Sequence, residues 1–498
     1  MTQADALRRV QDSILRHAHD YGLQPFRTVF ELIDFDEMNE IASYGGFPTR
    51  YPHWRFGMEY EELKKGYAYG LQKIYELVIN NDPCYAYLMK SNSLVDQKMV
   101  IAHVYGHSDF FRNNMWFSQT NRRMIDEIAN HGTRIRRYVE KHGQGTVEAF
   151  LDAALSLENL IDYHSVYSPY RKRTRFEFAE EAEPAEVRRL KAEHGYMDRF
   201  INPPEFLSRQ RKRIEDDFQK KRRFPEEPQK DILEFLIEYA PLDTWQRDVL
   251  SIVREEAYYF APQSLTKIMN EGWASYWHAK IMTEKALEAS EVVDFADHHA
   301  SVMGTRPGSI NPYKLGVELW RDIEDRWDRG RFGREYEECD DLARKKKWDL
   351  KLGQGREKIF EVRRIYNDIT FIDDFLTKEF CLEHKLFVYK FNAQANRYEI
   401  SDRDFEAVKQ SLLFRLTNMG HPAIVVADGN FRNRSELLLK HRHEGVDLEV
   451  EEARDTLRNL QRVWQRPVTV ETVVDDQPKL LSYDGSQFKE EDLSTPAA

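Results

Sequence analysis

The pattern of apolar positions changes once along the chain, near Phe380. Before this point, apolar residues recur three and four positions apart, a spacing that puts them on one face of a helix. Pro241 and Pro262 are expected to interrupt the helices around the Glu271 segment, so that residues 263–288 form a separate element. The predicted helices span residues 59–80, 94–116, 121–141, 146–163, 230–239, 242–260, 263–288 and 357–377.

After Phe380, short apolar runs with two-residue alternation indicate strands. They cover residues 386–391, 423–427, 436–441 and 468–473, with Asp428-Gly429-Asn430 as a hairpin turn and helices over 402–418 and 450–464. The predicted fold class is therefore mainly α, with a large helical domain over 1–379 and a smaller C-terminal α+β domain over 380–485. A charged, proline-punctuated excursion at about 169–228 and a flexible tail over 486–498 complete the predicted organisation.

Composition limits the classes of function. The 498 residues carry a net charge of -12, which argues against a general nucleic-acid binder. No apolar run approaches the roughly 18 residues that span a bilayer, and the polar N-terminus lacks a hydrophobic signal region. Three widely spaced cysteines favour a reducing compartment. We therefore expect a cytoplasmic protein without a membrane span; nothing in the sequence indicates its oligomeric state.

Two segments carry the candidate chemistry. His103 and His107 lie one helical turn apart on one face, and Glu271 and His278 lie two turns apart on one face of a second helix. Two histidines four residues apart with a carboxylate from a distant helix form the ligand set of a mononuclear metal site. Because these helices read as buried, a cation would resolve the cost of burying their polar groups. The alternative is a pair of imidazoles hydrogen-bonded within a helix bundle.

The expected metal is zinc, with non-haem iron as the alternative because two histidines and one carboxylate also suit iron with open positions. In zinc peptidases with the H-E-x-x-H motif, the glutamate after the first histidine is the general base. Here that position is Val104. The candidate catalytic carboxylates are Asp109, Glu255, Glu256 and Glu271 itself.

Further polar and aromatic residues surround these motifs. The segment Tyr51-Pro52-His53-Trp54 is too aromatic for an ordinary exposed loop, and Asn270 and Trp273 lie close to Glu271 in sequence. The predicted cleft residues are Tyr51, His53, Trp54, Asn270 and Trp273. His298 and His299 lack carboxylates at ligand spacing, which favours surface roles.

The chain resembles the stage V sporulation protein R (SpoVR) family over about residues 34–481. Matching segments occur in the family's order. They include Tyr51-Pro52-His53-Trp54, Asn81-Asp82-Pro83-Cys84, Ala102-His103-Val104-Tyr105-Gly106-His107, Phe224-Pro225-Glu226-Glu227-Pro228, Met269-Asn270-Glu271-Gly272-Trp273-Ala274 and Ile310-Asn311-Pro312-Tyr313. The resemblance implies a cytoplasmic bacterial protein with a role in spore cortex formation or in a stationary-phase or stress programme. It also implies a PrkA-like serine protein kinase and a von Willebrand-type protein as partners.

Two classes of function follow. In the first, the helical domain is a zincin-like, metal-dependent hydrolase that acts on amide or peptide bonds. In the second, the metal site is structural and the protein is a regulatory scaffold that works with the kinase system. A non-haem iron protein is a third reading.

Overall fold

A computed structural model describes residues 3–68, 76–167, 202–212, 224–305, 309–392 and 394–493. Most of the predicted charged excursion at 169–228 lies outside the described residues. The helices of the first part are α1 (Gln3–Asp20), α2 (Phe35–Ser43), α3 (Trp54–Ala68), α4 (Leu94–Asn113), α5 (Met124–His142) and α6 (Gln144–Leu155).

The second part is also rich in helices. They are α7 (Ile232–Tyr239), α8 (Thr244–Leu265), α9 (Lys267–Ile281), α10 (Val292–Val302), α11 (Pro312–Arg329), α12 (Arg334–Glu337), α13 (Leu342–Lys346), α14 (Gly355–Ile365), α15 (Asp368–Phe375), α16 (Lys378–Glu383), α17 (Phe405–Leu416) and α18 (Val450–Trp464). Helix α9 continues into a π-helical turn, Met282–Ala286.

The strands form three sheets in the described part of the chain. They are β1 (Thr28–Ile33), β2 (Leu77–Ile79), β3 (Cys84–Met89), β4 (Val388–Asn392), β5 (Arg397–Asp402), β6 (Ile424–Phe431), β7 (Glu436–His441), β8 (Val468–Val474), β9 (Gln477–Tyr483) and β10 (Phe488–Asp492). The first sheet has the order β1-β3-β2, with β1 parallel to β3. The C-terminal sheet has the order β10-β9-β8-β7-β6, in which only β7 and β8 pair in parallel. Strands β4 and β5 form a hairpin.

The architecture confirms the predicted fold class, mainly α with a smaller C-terminal α+β part. Contacts group the chain into two compact units. Unit 1 contains Met1–Lys141 and Tyr258–Gly420, and unit 2 contains His142–Ala257 and His421–Ala498. Residues 380–420 thus group with the helical residues of unit 1, whereas the five-stranded sheet belongs to unit 2.

Several predicted elements differ from the structure. Of the helix predicted over 59–80, the part up to Ala68 belongs to α3 and residues 69–75 lie outside the described residues. Residues 77–79 form strand β2 instead, because the run Leu77-Val78-Ile79 pairs with β3. Pro262 does not end a helix: α8 continues through it to Leu265. The helix predicted over 357–377 is interrupted at Asn367, whose side chain caps α15.

The C-terminal part also holds two differences. Residues 428–430, predicted as a hairpin turn, lie within β6 at a place where its register with β7 is irregular. The chain reverses after them, where Arg432, Asn433 and Ser435 have positive φ angles. The tail predicted over 486–498 includes β10, which pairs with β9 and is supported by the ion pair between Lys479 and Glu490.

Helix α9 is the central element of unit 1, packed between α4 and α11. Glycine makes both contacts close. A Cβ atom on Gly106 of α4 would lie 2.6 Å from the Cα atom of Ala274, and one on Gly272 of α9 would lie 2.5 Å from the Cα atom of Gly316 in α11. Since non-bonded carbon atoms prefer about 3.5–4.0 Å, only residues without a side chain allow this spacing. The three helices that meet here therefore have a fixed separation.

In unit 2, helices pack on the C-terminal sheet through large apolar side chains. Leu457 and Leu460 of α18 are buried, and α18 contacts β8, β9 and helix α6. Phe235 of α7 lies 5.7 Å from Trp464, measured between ring centroids. The core of this unit thus combines residues from both of its chain segments.

Candidate metal centre

Helix α4 carries His103 and His107 in a buried setting. Ser93 caps its first turn in a reciprocal pair of hydrogen bonds with Asp96, and the helix is buried from Val95 to Phe111. The two imidazole rings lie 4.6 Å apart, as expected for neighbours one turn apart. Their Nε2 atoms face the same side of the helix, toward two carboxylates.

Glu271 comes from α9. The first turn of this helix is held by Asp368, whose carboxylate accepts hydrogen bonds from the backbone N–H groups of Ile268 and Met269 at 2.8 and 2.9 Å. The side chain of Glu271 points at both imidazoles, with Oε2 3.6 Å from His103 Nε2 and 3.4 Å from His107 Nε2. The structure thus places Glu271 beside His103 and His107.

The second carboxylate is Glu76, which the sequence analysis missed. Its Oε1 atom lies 3.0 Å from His103 Nε2 and 3.8 Å from His107 Nε2. Glu76 immediately precedes β2, inside the region wrongly predicted as one helix. A helix predicted over that region does not indicate that Glu76 approaches α4. The apolar run Leu77-Val78-Ile79 that follows it, with two β-branched residues, indicates a strand.

The four ligand atoms of Glu76, His103, His107 and Glu271 all lie within 4.8 Å of one another. His103 Nε2 and Glu271 Oε2 are buried and make no hydrogen bond to any described residue. His103 Nε2 and Glu76 Oε1 are close enough for a hydrogen bond, yet their directions do not allow one. Buried polar atoms that converge without bonding each other are suited to a shared cation.

The spacing of these atoms fits a small ion. Zinc binds nitrogen and oxygen at about 2.0–2.2 Å, so the edges of a tetrahedral ligand set measure roughly 3.3–3.6 Å. The four histidine-to-glutamate distances are 3.0, 3.4, 3.6 and 3.8 Å. Two carboxylates also balance the charge of a divalent ion. The residues present therefore fit a divalent transition metal.

Electrostatics links the four side chains even without an ion. Burial opposes the charged form of each group, but the mutual attraction outweighs it. The imidazoles lower the pKa of Glu76 to about 2, and they also hold the pKa of Glu271 below its usual value. In turn, the carboxylates raise the pKa of His103 and raise that of His107 to about 10. Without an ion, the two imidazoles therefore hold protons more strongly than a free imidazole does.

Solvent reaches the centre from the carboxylate side. The side chains of Glu76 and Glu271 are 21% and 18% exposed, compared with 6% and 4% for His103 and His107. Tyr313 of α11 also lies here, with its ring 6.2 Å from that of His103. Burial and the negative charges of Glu271 and Glu76 raise the pKa of Tyr313, so its hydroxyl stays protonated. The site thus offers a neutral hydroxyl donor beside the carboxylates.

The other ring nitrogens of the two histidines face α9. His107 Nδ1 lies 2.8 Å from the side-chain oxygen of Asn270, and His103 Nδ1 lies 2.8 Å from His278 Nδ1. His278, a predicted ligand, is thereby outside the converging group: its Nε2 atom lies 3.1 Å from His299 Nδ1. His299, expected to serve on the surface, instead contacts this buried chain of imidazoles.

The remaining predicted residues have different locations. Asp109 is fully buried. Its carboxylate accepts hydrogen bonds from Arg363 Nη1 at 2.5 Å, from Trp273 Nε1 at 2.9 Å and from the backbone N–H of Gln24 at 2.7 Å. These bonds make it a structural carboxylate within the core. Glu256 is buried in unit 2 and is not one of the four converging residues.

The predicted cleft residues separate into three settings. Asn270 lies at the metal centre, whereas Trp273 is fully buried in the core. Tyr51 and His53 line a surface cavity of about 810 Å³, whose described lining includes none of the four converging residues. Trp54 is 54% exposed. The cavity that Tyr51 and His53 line is therefore not lined by the four converging residues, as far as its lining is described.

Comparisons with known proteins place the chain in a family. Residues 2–421 match the family model described as SpoVR like protein, and residues 422–475 match the one described as SpoVR-like C-terminal domain. An uncharacterized protein of Escherichia coli (strain K12), YcgB, is 29% identical over 490 residues, which cover 93% of this chain and 90% of the relative. No solved structure matches. Within the described residues, no helix has both the length and the apolar character that crossing a membrane requires. The chain belongs to the SpoVR family.

Proposed function

We propose that the protein is a metal-dependent hydrolase of amide or peptide bonds, with a zinc ion held by His103, His107 and Glu271. The observation that carries this proposal is the convergence of four ligand atoms within 4.8 Å of one another, two of which are buried and make no hydrogen bond to any described residue. Nitrogen and carboxylate ligands suit zinc. Two histidines and a carboxylate also suit iron, which makes a non-haem iron protein the alternative in metal identity.

Glu76 supplies the general base, because the position of the usual glutamate base is occupied by Val104. A divalent ion, when bound, acidifies water and polarises a carbonyl group. Glu76, whose Oε1 atom faces the ligand cluster, accepts the proton of the attacking water and passes it to the leaving nitrogen as the C–N bond breaks. The Tyr313 hydroxyl donates a hydrogen bond to the carbonyl oxygen as negative charge develops there. Exposure on the carboxylate side admits the substrate.

A second function is supported by the same four residues. If Glu76 is a fourth ligand, the tetrahedral set is complete and no position stays open, as in structural zinc sites. The protein is then a regulatory scaffold stabilised by its metal. In either case we propose a cytoplasmic protein that acts in spore cortex formation or in a stationary-phase or stress programme, together with a PrkA-like kinase and a von Willebrand-type protein.

Metal content tests the shared basis of both functions. Protein purified without chelators should carry close to one zinc ion per chain, as measured by elemental analysis. The Glu271→Gln variant should bind zinc at least about 10- to 100-fold more weakly, since it loses a ligand but keeps its size. A wild-type chain that stays folded and metal-free in the presence of zinc would overturn both functions.

Glu76→Gln separates the hydrolase from the scaffold. If Glu76 is the base, this variant should keep zinc affinity within a few-fold of wild type and should fail to complement a gene deletion. The wild-type protein loaded with cobalt(II) should then bind azide at its open position, with a change in the visible spectrum. If Glu76 is a ligand, the variant should lose as much affinity as Glu271→Gln, and azide should leave the wild-type spectrum unchanged.

A further inference from the structure

The partners of the two metal-facing histidines lie on one helix. Asn270 and His278 of α9 contact the Nδ1 atoms of His107 and His103, each at 2.8 Å. Glu271, the ligand from the same helix, adjoins Asn270 in sequence. All of these contacts are buried, so each one excludes competing hydrogen bonds from water. Helix α9 thus contacts the Nδ1 atoms of both imidazoles and also supplies Glu271, which faces their Nε2 atoms.

For His107, the partner decides which nitrogen carries the proton. The side-chain oxygen of Asn270 can only accept a hydrogen bond, so His107 Nδ1 must donate. In a neutral imidazole the other nitrogen, Nε2, then has a free lone pair. That lone pair faces the carboxylates and the position of an ion. Asn270 therefore fixes the tautomer that binds metal.

For His103, the same logic extends through two more rings. If His103 Nε2 binds the ion, its Nδ1–H donates to His278 Nδ1. His278 must then carry its proton on Nε2, which donates to His299 Nδ1 at 3.1 Å. One consistent arrangement of protons therefore satisfies each of these contacts. His299 belongs to α10, so the chain connects the metal centre to a third helix.

Helix α10 is attached to α4 by two further contacts. Lys98 of α4 pairs with Glu291, directly before α10, at 2.7 Å, and Asp96 pairs with His298. These two contacts hold His299, the neighbour of His298, within reach of His278. The position of α10 on α4 thus determines whether the last acceptor of the chain is in place.

We propose that Asn270, His278 and His299 are positioning residues that set the tautomers of the metal-binding histidines, so that the docking of α10 governs the affinity of the site for its ion. This inference rests on the proposed metal site and adds a means of regulating it. A partner that moves α10 would weaken metal binding without touching a ligand.

Paired substitutions test the proposal. His278→Leu, His299→Leu and Asn270→Leu remove an acceptor, whereas His278→Asn, His299→Asn and Asn270→Asp keep one near the original position. Zinc affinity, measured by competition with a chromophoric chelator, should fall about 10- to 100-fold in the first set. The second set should recover most of that loss. Exposed Asp297 of α10 provides the control Asp297→Ala, which should bind zinc like wild type.

Two further measurements keep the test decisive. Thermal unfolding of each metal-free variant identifies those that fail to fold, and histidine nitrogen NMR of the zinc-loaded variants reports the tautomer of His103 and His107. A folded His299→Leu protein with wild-type zinc affinity would exclude the role of α10. Equal losses in the leucine and acceptor-keeping sets would reduce these residues to packing. A wild-type protein that binds no zinc would instead refute the proposed metal site itself.

Discussion

At the proposed metal site, protons and a metal ion would compete for the same two imidazoles. The carboxylates raise the pKa of His103 and raise that of His107 to about 10, so His107 carries a proton at neutral pH when metal is absent and His103 holds one more strongly than a free imidazole does. Glu76, with a pKa of about 2, and Glu271, whose pKa is also lowered, are already ionised and release none. Metal binding therefore has to displace protons from histidine alone.

This competition predicts that zinc binds more tightly as pH rises. Below its pKa of about 10, His107 must lose a proton when zinc binds, so affinity should increase by up to about tenfold per pH unit for each proton displaced. Calorimetry between pH 6 and 8, in buffers of different ionisation enthalpy, measures both the affinity and the protons released. Affinity that is constant over this range would contradict the electrostatic description of the site.

Asp109 illustrates how a residue predicted to be catalytic can serve the fold. Its carboxylate neutralises buried Arg363 and accepts from Trp273. We expect Asp109→Asn to lower the free energy of unfolding by about 3–5 kcal/mol, because Arg363 would keep its charge without a partner. Thermal unfolding should show the loss, while the folded fraction should bind zinc normally. Unchanged stability with lost function in cells would indicate a catalytic role.

At the scale of elements, close helix packing sets the distance between the ligands. Gly106 lies between His103 and His107 in α4, against Ala274 of α9. Any side chain at this position pushes apart the helices that carry the histidines and Glu271. The glycine contact and the metal centre therefore depend on the same separation.

Gly106→Ala should consequently reduce both stability and metal affinity. Its Cβ atom would lie 2.6 Å from Ala274 Cα, and such overpacking costs about 1–3 kcal/mol or more. Gly57→Ala in α3 is the matched control, since a Cβ atom there meets no heavy atom within 4 Å. The control should be neutral or more stable by about 0.5–1 kcal/mol, because alanine favours helices. Equal unfolding temperatures for both variants would disprove the packing role of Gly106.

At the scale of the whole molecule, the units do not follow the order of the chain. Unit 2 joins residues 142–257 to residues 421–498, and its core places Phe235 against Trp464. The predicted division after residue 379 therefore has a direct test. A fragment of residues 380–498 should be poorly folded alone by circular dichroism and should gain structure when residues 142–257 are supplied. A fragment with full native structure alone would instead support the predicted boundary.

The sequence by itself determined much of the local structure and named three of the four residues that converge at the candidate site. Periodicity is a local property, so α18 was predicted at Val450–Trp464 and β7 at Glu436–His441, as the structure has them. The spacing of His103 and His107 likewise guarantees that they share a face once α4 forms. Glu271 was predicted from the cost of burying a carboxylate on an apolar helix.

Only the tertiary structure could decide which distant groups meet. Glu76 joins the site because β2 pairs with the next strand, β3, a pairing that helical periodicity does not encode. His278 faces away from the ligand cluster because helix packing turns it toward His103 Nδ1 and His299, although helical spacing put it on the same face as Glu271. Helical spacing fixes which side chains lie together on one element. The close approach of α4, α9 and α11 through glycine decides what each face meets.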